Sequence, residues 1–129
     1  MRTLALLLAL PLTACGPGRL AGAWSGSCDF SDGDYGEEVF LDLALEADLG
    51  RRLEGEAAVT VPSEGVFEVP VVGEHTLTAA LLEMTIPAAE GDLLLSFEGS
   101  RDADELEGPC ELWVPGASAA VVGRGELSR

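Results

Sequence analysis

The sequence predicts an all-β domain behind a cleaved signal peptide: a small antiparallel meander of about eight strands closed as a barrel, with a β-sandwich as the alternative. Three observations predict it. From Leu20 onward apolar and polar side chains alternate with period two, which places one face of each run in a core and the other in water. Glycine, aspartate and proline punctuate those runs at hairpin spacing, and no 3.6-residue periodicity lasts long enough for a convincing helix. The part that remains after cleavage, about 115 residues, is the size of one domain.

The first element is a targeting segment. Met1-Arg2-Thr3 carries one positive charge, and residues 4–12 form an apolar run broken only by Pro11, the order of a secretory n-region and h-region. A spanning helix needs roughly 20 apolar residues, more than twice this run. The run ends in Leu12-Thr13-Ala14-Cys15, which resembles the bacterial lipobox. A branched apolar residue and two small residues give a peptidase access, and the free thiol accepts diacylglycerol. The resemblance implies cleavage before Cys15, acylation of that residue with chains such as palmitate, and a stable membrane anchor, since two or more chains hold where one does not. Residues 1–14 are then the signal peptide, 15–19 the lipidated cysteine and a short tether, and 20–129 a single β-rich domain. Gly16 follows the cysteine, where many inner-membrane lipoproteins of enteric bacteria carry Asp. The expected location is therefore the cell envelope, at the outer membrane where there is one.

The strands follow in order. Residues 20–30 form the first. Residues 39–47 and 53–61 alternate clearly about a turn at 48–51 and make a hairpin. Further strands are expected at 65–72, 75–86, 92–99, 106–114 and 119–128. Within 75–86 the stretch Ala79-Ala80-Leu81-Leu82-Glu83 also suits a short helix, but Thr76, Thr78, Thr85 and Ile86 favour strand.

Composition excludes more than it proposes. The formal charge is −16, and loss of Arg2 with the signal takes it to −17. Such a surface repels phosphate, so nucleic acid is not an expected partner, and it should stand off an anionic leaflet. It favours solubility, a monomer, and cationic ligands or partners. The chain has no Lys, Asn or Gln, which removes Schiff-base chemistry, the phosphate-loop lysine and the Ser-Lys dyad.

With Cys15 committed to lipid, Cys28 and Cys110 remain as a pair in an oxidising compartment, and a disulfide is expected. In a regular eight-stranded barrel, however, the eighth strand separates the first from the seventh. That gap exceeds the roughly 4.4 to 6.8 Å between α-carbons that a disulfide tolerates. The pair therefore asks for a flattened barrel or another strand order.

The first strand opens Leu20-Ala21-Gly22-Ala23-Trp24-Ser25-Gly26. This Gly-x-Trp resembles the opening of the calycin barrels, the lipocalins and avidins. The resemblance implies that Trp24 plugs one end of an up-and-down barrel and that an arginine of the last strand packs on it, the position matched here by Arg124. Such a pair is worth about 0.5 to 2 kcal/mol. The resemblance implies a shape, not a ligand.

Few side chains point to chemistry. The acidic stretch from Asp29 to Glu38 contains Asp29, Asp32 and Asp34, oxygen ligands of the kind calcium takes, but the glycine spacing of an EF-hand is missing and a solvated hairpin turn is the simpler expectation. The stretch Asp102-Ala103-Asp104-Glu105 is similar. His75, the single histidine, lacks the partners of a general base or a zinc site. Trp113 is expected on the strand face opposite Cys110, exposed as a contact anchor or covered by a loop. No catalytic constellation, metal site or cofactor is expected. The function that follows is a membrane-anchored, non-enzymatic interaction or structural module; the alternative is a lipocalin-like barrel binding a small apolar or cationic ligand.

Overall fold

The computed structural model describes residues 20–33, 35–47 and 50–129. The expected signal peptide, Cys15 with its tether, and Asp34 lie outside the described residues. Eight strands follow one another: β1 (Gly22–Asp29), β2 (Glu38–Ala47), β3 (Arg52–Val61), β4 (Gly65–His75), β5 (Ala79–Ala88), β6 (Gly91–Asp102), β7 (Glu105–Trp113) and β8 (Val121–Ser128). Each pairs antiparallel with the next, and β8 returns to β1, so the sheet closes as a barrel in plain meander order. Closure gives every strand a partner on both sides, which limits the free edge that could template aggregation.

Alternation sets the wall. On β2, Val39, Leu41, Leu43 and Leu45 are buried while Phe40, Asp42, Ala44 and Glu46 face out. The same parity puts Leu82, Met84 and Ile86 of β5 and Leu93, Leu95 and Phe97 of β6 inside. Inward positions are thus filled by branched and aromatic side chains packed in one cluster. Full burial of each such side chain contributes about 1.5 to 3 kcal/mol.

One boundary moves. His75 ends β4 and does not begin β5, because residues 76–78 form a tight turn: the Thr76 hydroxyl accepts from the N–H groups of Thr78 at 3.3 Å and Ala79 at 3.2 Å. The Ala-Leu stretch that suited a helix is strand, with Ala79 to Leu82 laid against Ser100 to Phe97 of β6. The β4–β5 ladder is the shortest in the barrel, running only from Val72↔Glu83 to His75↔Ala80. Pro70 and Pro87 lie in the two strands just beyond its end, and neither has an N–H to extend it.

The meander gives the barrel two distinct ends. The near end carries the start of β1 and the connections from β2 to β3, β4 to β5 and β6 to β7. The far end carries the loops from β1 to β2, β3 to β4, β5 to β6 and β7 to β8.

Candidate functional site

Cys28 and Cys110 are disulfide-bonded with α-carbons 6.1 Å apart, although β8 lies between their strands. Glycine accounts for the approach. Gly125 of β8 sits opposite Cys28 on one side and Gly108 on the other. A Cβ on Gly125 would lie 2.5 Å from the Cys110 sulfur and 2.6 Å from the Phe97 ring. The space that an inward side chain of β8 would occupy is filled by the disulfide and by Phe97. Of the two ways out of the strand-spacing conflict, the chain therefore takes a local drawing-in of the wall and keeps the meander.

Trp24 is buried at the near end. It is 2 % exposed, and its indole N–H donates to the Leu20 carbonyl at 2.9 Å. The arginine on it is Arg129, with its guanidinium carbon 4.6 Å from the ring centroid, and not Arg124. Parity is the reason. Gly125 and Leu127 point inward, so 129 shares their face, whereas Arg124 points outward and pairs with Glu107 at 3.8 Å. Arg129 also donates to the Ala21 carbonyl at 2.7 Å and to the Asp104 carboxylate at 3.3 Å. One side chain thereby ties the start of β1, the β6–β7 turn and the end of β8.

At the far end the acidic stretch is used for structure. The Ser31 N–H donates to Asp29 at 2.9 Å, and the Ser31 hydroxyl and then that N–H hold the Asp29 carboxyl below its ordinary range. Glu37 accepts from the Ser63 N–H at 2.7 Å and its hydroxyl at 2.6 Å, which staples the β1–β2 loop to the β3–β4 turn. Glu38 accepts from the Ser27 hydroxyl at 2.6 Å. Phe30, buried, receives Tyr35 edge-on with ring centroids 6.1 Å apart. Burial, then the charges of Glu37 and Glu64, push the Tyr35 phenol up to about 12. Asp32 is exposed, and among the described residues no three potential ligand side chains gather as a metal site would need.

His75 is 5 % exposed, and its Nε2 has no hydrogen-bond partner among the described residues. Its N–H donates to the Arg51 carbonyl at 2.7 Å, a backbone role at the near end. Trp113 stands on the outer wall, 43 % exposed, directly opposite Leu94 of β6. No loop covers it. Among the open hollows on the outside, two border the sites above. One, of about 430 Å³, is bordered by Ala23, Ala44, Ala58 and Arg129. The other, of about 770 Å³, lies beside the β7–β8 loop and is lined by Tyr35, Val114, Ala117 and Val122.

Arg129, Gly125 and Glu37 carry the described architecture and were not singled out in the sequence. The parity of β8, anchored on Leu127, marks both Gly125 and Arg129 as inward. Nothing local in the sequence marks Glu37, whose partner Ser63 is 26 residues away. Comparison with protein-family models, with curated proteins and with solved structures finds no match for this chain.

Proposed function

We propose that the protein is a lipid-anchored envelope module, held to the membrane through Cys15, that acts through the outer surface of its barrel and carries out no catalysis. The observation that carries this is the order of the first twenty residues. A charged start, an apolar run and Leu12-Thr13-Ala14-Cys15 are followed five residues later by Leu20. Leu20 is fully buried at the near end of the barrel and receives the Trp24 indole N–H. Five residues span at most about 18 Å even when fully extended. The near end therefore faces the membrane and the far end is presented away from it, in the outer membrane's compartment where one exists.

The filled interior supports a role for the outside. A calycin-type ligand site needs an apolar hollow within the barrel, and the inward positions here hold Leu, Val, Phe and the disulfide. The test is detergent-phase partition of the full chain expressed in a bacterial host supplied with labelled palmitate, beside the Cys15→Ser variant. The wild type should carry label and enter the detergent phase, and the variant should do neither. Label-free wild type that stays in the aqueous phase contradicts the anchor.

A further inference from the structure

We propose that the outer wall of β6, β7 and β8 beside the far end is a docking surface for a basic polypeptide segment that also carries apolar side chains. This deepens the reading above, since it names the face and the partner class of an interaction module and rests on that reading.

The wall should be polar, because it meets water, and elsewhere on these strands it is: Glu98, Ser100, Glu107 and Glu126 occupy the outward positions. Near the far end that pattern breaks. Leu94 is 48 % exposed, Trp113 43 % and Val122 64 %. They are neighbours, for Leu94 sits opposite Trp113, and Val122 sits opposite Glu111, two residues before Trp113 on β7. Val122 continues into the 770 Å³ hollow, where the loop residues Gly116, Ala117, Ser118 and Ala119 are small enough to admit another chain's side chains. An exposed tryptophan in an apolar strip beside a hollow is the arrangement on which binding energy concentrates at protein interfaces.

Charge selects the occupant. The four far-end loops contain no arginine or lysine, and Asp32, Glu37, Glu64, Glu90, Asp92 and Glu111 stand in them or beside the strip. Four of the five arginines after residue 20, namely Arg51, Arg52, Arg101 and Arg129, lie instead at the near end; the fifth, Arg124, stands outward two residues from Val122, where it is paired with Glu107. Phosphate-bearing partners and a second copy of this acidic chain are repelled from the strip, whereas a basic segment is steered to it and its apolar side chains cover Trp113.

The test titrates the full chain, in zwitterionic detergent micelles, with a ten-residue peptide of alternating leucine and lysine, following tryptophan emission. Trp24 is buried, so a blue shift reports Trp113. We expect saturable binding, weakened at least about tenfold by the double variant Leu94→Ser with Val122→Ser, as for loss of anchor contacts, and weakened further by raising salt. The double variant Val66→Ser with Val72→Ser, at exposed positions on β4, should bind as the wild type does, and circular dichroism checks that both remain folded. Absence of a shift, equal binding of a serine-lysine peptide, or equal loss in both double variants overturns the proposal. The titration is repeated with Cys15→Ser. Binding by that variant when the wild type proves unlipidated sinks the anchor and leaves the docking surface standing; a lipidated wild type that shows no shift does the reverse.

Discussion

The two ends of the barrel close the β1–β8 junction by different means. Toward the far end the junction is crossed covalently, by a disulfide that passes over Gly125 from β1 to β7. At the near end it is held by one side chain, Arg129, stacked on Trp24 and hydrogen-bonded to Ala21 and Asp104. The charge leans the same way, with four of the five arginines after residue 20 at the near end and no arginine or lysine in the far-end loops. The covalent closure and the presented surface therefore fall at one end of the barrel, and the side-chain closure at the other. The end with the crosslink also bears the exposed apolar strip.

The largest effect expected from breaking this comparison is loss of the covalent closure. The bond spans a sequence separation of 82 residues. By the chain-entropy argument, Cys28→Ser with Cys110→Ser should cost about 4 to 5 kcal/mol, an upper figure because residual structure in the unfolded chain lowers it. Urea unfolding followed by circular dichroism measures it. A loss below about 1 kcal/mol would mean that the glycine-lined approach of β1 and β7 contributes little beyond ordinary packing.

The near-end closure should come next. Arg129→Ala removes a partly shielded cation–π contact and a charged hydrogen bond, for about 1 to 3 kcal/mol together. Arg124→Ala removes only an exposed ion pair with Glu107 and should stay within about 0.5 kcal/mol. The contrast between the two variants is the sharper readout, since equal losses would restore the family-based assignment of Arg124 to the tryptophan.

His75→Leu probes the same end in the opposite direction. Its buried Nε2 has no partner among the described residues, and an unsatisfied buried polar atom costs about 1 to 3 kcal/mol. Replacement should therefore leave the unfolding midpoint unchanged or raise it. A large fall would show that the imidazole makes a contact worth keeping.

The smallest effect is read at the far end by pH. Tyr35 is the one tyrosine in the chain, so absorbance near the phenolate band reports it alone. Its phenol, raised to about 12 in the folded protein, favours the folded state fully while pH stays below the unfolded value near 10. That contribution is lost as pH rises from there through about 12. Asp29 works with the opposite sign. Its lowered carboxyl pKa favours folding above the ordinary aspartate range and ceases to do so as pH falls through the folded value. A Tyr35 titration near 10 would place the ring in solvent and detach it from Phe30.

Much of the fold is legible in the sequence because the barrel has water on one side and a packed interior on the other. That contrast writes period two into every strand, and each of the eight expected runs overlaps an observed strand. The misplacement of His75 arises because a threonine turn at Thr76 and a strand residue look alike in composition. Arg124 was matched by analogy with a family motif, while the alternation through Gly125 and Leu127 carried the better signal for Arg129. The pairing of Cys28 with Cys110 was legible from the cysteine count, but the way their strands approach across β8 was not. It depends on what Gly125 lacks, and a missing side chain acquires meaning only when three strands are superposed. The far-end strip was half legible, since Trp113 stood out as a possible anchor, but its neighbours Leu94 and Val122 reach it only through pairing across strands.

The most direct test of the central claim, an oxidised barrel held to a membrane by Cys15, is the intact mass of the full chain extracted from host envelopes after thiol alkylation without reduction. The account predicts a chain beginning at Cys15, heavier by its acyl and glyceryl groups, with no alkyl group on Cys28 or Cys110. A chain that retains residues 1–14, or that gains alkyl groups at those two cysteines, contradicts it.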